Sequence, residues 1–202
     1  VNRIRALASS SEHSQSYTSE GSLRDVIAKP LKLLTVIIAS SGELIKQTPD
    51  TKKTPESIKQ KLRLYAGYYI LKLAKYPNLQ LYITQDVINR LSGLLHDENE
   101  NIRVEFSKKL ETNLWNGQLS ENFLHLIFLM ALEPKSSLKN QVTTWILSSH
   151  KRCIEQKDIK FERVLTRLIH CIAHNDTFKK FMSDETESSN KRQVKAYTYA
   201  LE

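Results

Sequence analysis

The sequence predicts an all-α protein, a solenoid built of stacked antiparallel helix pairs. Five Gly and five Pro among 202 residues argue against a turn-rich β fold. Apolar residues recur at i, i+3, i+4 and i+7 along most of the chain, the spacing of one helix face. A helix-to-helix junction also returns after 36 residues, and a helical repeat of that length is typical of a solenoid. The matched positions are Asp97 with Glu133, Ile102 with Leu138, and Arg103 with Lys139.

The first predicted helix follows a Ser-rich stretch. Residues 1–20 predict a flexible segment, and residues 21–202 predict the solenoid. Ser22 is the expected N-cap, and Pro30 is expected to kink or divide the helix. The predicted helix pairs cover about 22–76, 84–116, 120–156 and 161–202.

The second predicted helix spans residues 56–76 and carries a broad apolar stripe. Tyr65 and Tyr69 lie at helical spacing within this stripe, so we expect both in the core. Pro77 and Asn78 are expected to end the helix. The next helix is expected to begin after Thr84 as its N-cap.

The remaining helices follow the same reasoning. Gly117 is the expected stop of a helix over 99–116. Residues 121–132 are apolar almost all round, which predicts a helix buried between neighbours. Residues 136–156 are its predicted partner, and a helix over 161–173 follows. The residues of that last helix expected to face inward are Val164, Leu165, Leu168, Ile169 and Ile172.

The repeated junction predicts a structural ladder. An acid at the turn, Asp97 or Glu133, can accept backbone N–H groups at the start of the second helix. The base six residues later, Arg103 or Lys139, can bridge toward the acid of an adjacent repeat. A partial third copy stands at residues 62–66, with Arg63 as its base.

The charge of the chain favours an acidic partner. The formal net charge is +8, which suits an acidic protein segment or nucleic acid. The bases concentrate on the second helices of successive pairs, which predicts one basic inner surface for an acidic partner segment or DNA phosphates. An ordinary solvated face is the alternative. The predicted surface contains Lys72, Lys75, Lys108, Lys109, Lys151 and Arg152.

Catalytic and cofactor chemistry find little support in the sequence. It contains no GxSxG elbow, glycine-rich phosphate loop or HExxH motif, so we expect no enzyme and no cofactor. The cysteines suggest buried small residues in a reducing compartment. Zinc is the weaker alternative, with ligands drawn from His150, Cys153, His170, Cys171 and His174. The longest dense apolar run, residues 123–132, is too short to span a bilayer.

The junction pattern is that of HEAT repeats, and a longer succession of strings is more specific. These strings are LRLYAG (62–67) with LKLA (71–74), Asp97-Glu98 with Ile102-Arg103 and Phe106, and ALEP (131–134). In this order and spacing they resemble the precocious-dissociation-of-sisters family of cohesin-associated proteins, in a fungal form.

The resemblance implies a segment of a large, non-catalytic, nuclear and chromatin-associated HEAT-repeat protein. Such proteins bind the kleisin subunit of cohesin and control sister chromatid cohesion and the release or maintenance of cohesin on chromatin. The ATPase-head subunits and DNA are further candidate contacts. No family binding residue can be carried onto this sequence. Two alternatives remain: a basic solenoid that binds nucleic acid directly, and an unrelated HEAT transport or adaptor protein.

Overall fold

The computed structural model describes residues 18–44 and 54–174, and their side chains from Leu23 onward. Within these ranges the regular elements are all helices, so the predicted all-α class is confirmed. Residues 1–17 of the predicted flexible segment and the region after His174 lie outside the described residues. The chain divides into two compact units. The first contains residues up to Leu94 and Asn99–Phe106, and the second contains Leu95–Glu98 and residues from Ser107 onward.

The first unit begins with two long helices that pack on each other, α1 (Thr18–Ala39) and α2 (Glu56–Ala74). Because α1 starts at Thr18, Ser22 lies inside the helix and is not its N-cap. Pro30 also lies inside α1 and does not divide it.

The short helix α3 (Pro77–Gln80) follows, with α4 (Gln85–Leu95) directly after Thr84. Pro77 and Asn78 do not end α2 but begin α3, since proline suits a first turn whose N–H groups lack helical partners. The fifth helix, α5 (Glu100–Trp115), starts in the first unit and ends in the second.

The prediction that Tyr65 and Tyr69 lie in the core is wrong. Their exposed fractions are 53% and 41%. Helix α2 instead buries a face that contains Ala66 and Gly67, because these small residues let other helices approach its backbone closely. The tyrosines therefore stand beside the buried stripe, where the Tyr65 ring meets the edge of Tyr68.

The second unit surrounds an irregular buried segment. Residues 121–132 form a 3₁₀ turn (Glu121–Phe123), the short helix α6 (His125–Phe128) and a second 3₁₀ turn (Leu129–Leu132). Most of this segment is buried, as predicted, but it is not one continuous helix.

Two longer helices complete the second unit, α7 (Ser136–Glu155) and α8 (Lys160–His174). Helix α8 buries Val164, Leu168 and Cys171. Leu165 and Ile169, which were expected to face inward, are 46% and 53% exposed because they flank that buried stripe.

Left-handed residues end two helices of the second unit. Gly117 (φ 65°) follows α5, and its N–H and that of Gln118 bond to the carbonyls of Leu114 and Asn113. This pair of bonds is a Schellman motif, so the predicted stop at Gly117 is confirmed. Lys157 (φ 55°) makes the equivalent turn after α7, where its N–H bonds to the carbonyl of Ile154 at 3.1 Å.

Lys157 allows a stability prediction, because a left-handed conformation strains a residue that carries Cβ. We expect Lys157→Gly to raise the free energy of unfolding by about 1 kcal/mol. Lys157→Ala removes the same charge without relieving the strain and should leave stability nearly unchanged. Urea unfolding followed by tryptophan fluorescence measures both, and equal stabilities for the two variants would contradict the account.

Candidate partner-binding surface

The six bases of the predicted surface differ in exposure and in location. Lys72 and Lys75, in the first unit, are half-buried. The other four, Lys108 and Lys109 on α5 and Lys151 and Arg152 on α7, are exposed and belong to the second unit.

Neighbouring bases on one helix do not share a face. Successive residues of an α-helix are rotated by about 100°, so Lys151 and Arg152 point in different directions. Arg152 points toward the end of α5, where its Nη1 donates to the carbonyl oxygen of Trp115 at 3.2 Å. On α5, Lys108 lies two turns before Trp115 and therefore on the same face.

The contact between Arg152 and Trp115 is also a cation–π interaction. The guanidinium carbon lies 4.9 Å from the centre of the indole ring. Arginine stacks well on aromatic faces because its charge is delocalised over a planar group. Trp115 is 42% exposed, so solvent reaches the pair.

A cavity of about 180 Å³ opens beside this pair, between the end of α5 and helices α7 and α8. Its walls combine aromatic rings with a few polar groups. Ser149 is buried there, and its Oγ has no hydrogen-bond partner among the described residues. The lining residues used below are Trp115, Leu124, Trp145, Ser149, Arg152 and Phe161.

A second contact joins α5 to α7 near the start of α7. The side-chain amide of Gln141 donates to a carboxylate oxygen of Glu111 at 3.3 Å. Glu111 is buried, and this burial raises the pKa of its carboxyl group, although the bond from Gln141 opposes the shift.

The junction residues occupy structural positions. The Glu133 carboxylate accepts the backbone N–H of Lys135 at 3.0 Å, directly before α7. Glu133 and Arg103 are buried, whereas Asp97 and Lys139 are partly exposed. The bridge from each base to the acid of an adjacent repeat stays a prediction.

Arg63, the base of the partial third copy, acts inside the first unit. Its buried guanidinium donates to the carbonyl oxygen of Ser41, just after α1, at 2.8 Å. It also pairs with Glu56 at the start of α2, at 3.2 Å. Arg63 therefore connects the end of one helix to the beginning of the next.

Comparison with known proteins decides the family. The model of the family described as sister chromatid cohesion protein PDS5 matches residues 1–201. The chain belongs to the PDS5 family. The resemblance predicted from the sequence is thereby confirmed.

Individual PDS5 proteins agree with this membership. The chain is 38% identical to sister chromatid cohesion protein PDS5 of Saccharomyces cerevisiae over 148 residues, which cover 73% of the chain and 12% of the relative. It is 31% identical to that of Schizosaccharomyces pombe over 186 residues, covering 92% of the chain and 14% of the relative. PDS5 homolog A of Homo sapiens is 28% identical over 159 residues, which cover 73% of the chain and 12% of the relative. The chain thus spans about one eighth of the length of these relatives.

The zinc alternative gains no support in this PDS5-family chain. Within residues 18–44 and 54–174, no group of three or more His, Cys, Asp or Glu could hold a metal ion. The His150 ring packs against Phe161, with ring centres 5.3 Å apart. Burial raises the pKa of the Cys171 thiol to about 11, as expected for a small side chain packed in the core. None of the helices in the described ranges has the length and apolar character that a membrane span requires.

Sequence reasoning placed Trp145 on the packing face of helix 136–156 and assigned neither tryptophan a binding role. Trp115 and Trp145 are the only tryptophans of the sequence, and both line the same cavity. Two features of the sequence could have indicated them: tryptophan is rare in this chain, and Trp and Arg are both enriched where proteins bind partners.

Proposed function

We propose that this chain is a non-catalytic scaffold segment of a cohesin regulator, acting on chromatin in the nucleus. It would bind cohesin subunits, the kleisin first and the ATPase heads second, and so control cohesion and the release or maintenance of cohesin. The PDS5 family match over residues 1–201 is the observation that carries the proposal. The relatives that share this match are named for sister chromatid cohesion.

We place the contact at the exposed bases of the second unit, which lie on more than one face of α5 and α7. Lys108, Lys109, Lys151 and Arg152 are exposed, so their charges reach solvent and can attract an acidic partner. Lys72 and Lys75 are half-buried and belong to the first unit, which makes them weaker candidates. The net charge of +8 adds a non-specific attraction to DNA phosphates, and DNA binding is the second candidate function.

Charge reversal tests this surface. We expect the triple variant Lys108→Glu, Lys109→Glu, Lys151→Glu to bind purified cohesin complex about tenfold more weakly, because attraction becomes repulsion at the rim of the contact. The measurement is retention of cohesin subunits on the immobilised chain at several salt concentrations.

The matched control is the triple variant Arg24→Glu, Lys29→Glu, Lys32→Glu on α1, which reverses three exposed bases elsewhere. It should retain cohesin like the unaltered chain. Equal retention by the triple variant would remove the surface from the proposal. Binding of a fluorescent DNA duplex, measured in parallel, distinguishes cohesin binding from DNA binding. If the chain binds only DNA phosphates, the duplex binds at low salt and dissociates at high salt, and cohesin is not retained.

A further inference from the structure

We propose that the cavity beside Trp115 and Arg152 binds an acidic peptide segment. A carboxylate of the peptide pairs with Arg152, and a neighbouring apolar side chain of the peptide enters the cavity. The inference rests on the proposed role of this chain in binding a partner protein, and it adds the site and its chemistry.

Arg152 is held in place before any ligand arrives. Its guanidinium stacks on Trp115 and uses one donor on the Trp115 carbonyl oxygen. A guanidinium has five N–H donors, so several remain for a carboxylate. Prior fixation lowers the entropy that an arginine loses on binding, and two parallel N–H groups match the geometry of a carboxylate.

The cavity itself suits one apolar side chain. Its volume of about 180 Å³ is comparable with the ~150 Å³ cavity that accepts benzene in another protein. Leu124, Trp145 and Phe161 provide apolar walls.

The charges around the cavity favour a peptide over a nucleic acid. Glu121 also lines the cavity and pairs with Arg163 at 3.8 Å, while Lys160 pairs with Asp158 at 3.0 Å. This mixed wall would repel a continuous phosphate backbone, which binds best to a surface of uniformly positive charge. A single peptide carboxylate needs only the one guanidinium of Arg152.

A phage-displayed library of random peptides, selected on the full chain, provides the probe. We expect the selected peptides to carry Asp or Glu next to a branched or aromatic residue. Both tryptophans of the chain line the cavity, so binding of the synthesised peptides is followed directly by tryptophan fluorescence.

Two substitutions, one in α7 and one just after it, make a matched pair. Arg152→Gln should weaken binding of the selected peptides about tenfold or more, because it removes the carboxylate partner. Lys157→Gln removes the same charge from an exposed position after α7 that neither lines the cavity nor belongs to the proposed cohesin contact, and it should change binding less than about threefold. Replacing the apolar residue of the peptide with Ala should abolish the fluorescence change.

Three results would overturn the inference. The selected peptides could lack Asp and Glu, or the two variants could weaken peptide binding equally. A DNA duplex could also displace the peptides from a site other than the cavity. The proposed function fails separately. If the unaltered chain does not retain purified cohesin but still binds acidic peptides through Arg152, the peptide site is supported and the cohesin-binding function is contradicted.

Discussion

Gly67→Val is expected to lower the free energy of unfolding by about 2 to 3 kcal/mol, through overpacking of the first unit. Gly67 lies in the middle of α2 and is buried. A Cβ at this position would overlap Leu94 Cδ1 and would come within 2.9 Å of Phe106 Cε2. Leu94 and Phe106 are themselves buried, so neither side chain can move away without disturbing its own packing.

Gly93→Val is the matched control. Gly93 lies in the helix α4 and is exposed, and a Cβ added to it would have no described atom within 4 Å. The two substitutions change helix propensity by the same amount, so their difference isolates packing. Urea unfolding followed by far-ultraviolet circular dichroism gives both stabilities. Similar losses for the two variants would show that the first unit can open around Gly67.

The second large effect concerns pH, because His125 should make the second unit less stable in mild acid. The imidazole is fully buried, and within the described ranges neither ring nitrogen makes a well-formed hydrogen bond, although the backbone of Asn122 is near enough to interact with the ring. Burial lowers the pKa of His125 to about 4, the backbone of Asn122 partly opposes the shift, and the charges of Arg167 and His170 reinforce it.

The direction of the pH effect follows from proton binding. Between pH 6.5 and 4 the unfolded chain binds a proton at His125 and the folded protein does not, so unfolding becomes easier as the pH falls. As far as His125 is concerned, the free energy of unfolding is at its highest above pH 6.5 and decreases progressively as the pH falls to 4. We expect this residue alone to contribute a loss of about 2 to 3 kcal/mol between about pH 7 and pH 4.5.

His125→Phe separates this contribution from other titrating groups. The variant keeps a ring in the buried segment but cannot take up a proton, so its stability should depend less on pH by that same amount. Tryptophan fluorescence during urea unfolding is the suitable measurement, because Trp115 and Trp145 both belong to the second unit. Parallel pH profiles for the variant and the unaltered chain would contradict the assignment.

The sequence predicted correctly those features that a few adjacent residues decide. Gly117 adopts its left-handed turn because two backbone bonds within six residues close the end of α5. The burial of residues 121–132 also followed from composition, since a segment that is apolar all round has no face to offer to water. The division of that segment into short turns did not follow, because apolar content does not report hydrogen-bond geometry.

Errors arose where the orientation of a helix decides the outcome. Tyr65 and Tyr69 fit an apolar stripe as well as their neighbours do, yet α2 turns Ala66 and Gly67 toward the core. The reason is close approach: a glycine in contact with Leu94 and Phe106 allows tighter packing than a tyrosine could. A single helix does not contain this information, since it depends on the helices that pack against it.

The sequence by itself determined the helical class, the repeated junction and the resemblance to the PDS5 family, because these depend on periodicity and on the order of short strings. Only the tertiary structure decided which bases share a site with the tryptophans. Lys151 and Arg152 are adjacent and equally charged in the sequence. Packing of α7 against the end of α5 brings Arg152 onto Trp115, and the helical rotation of about 100° per residue points Lys151 in another direction.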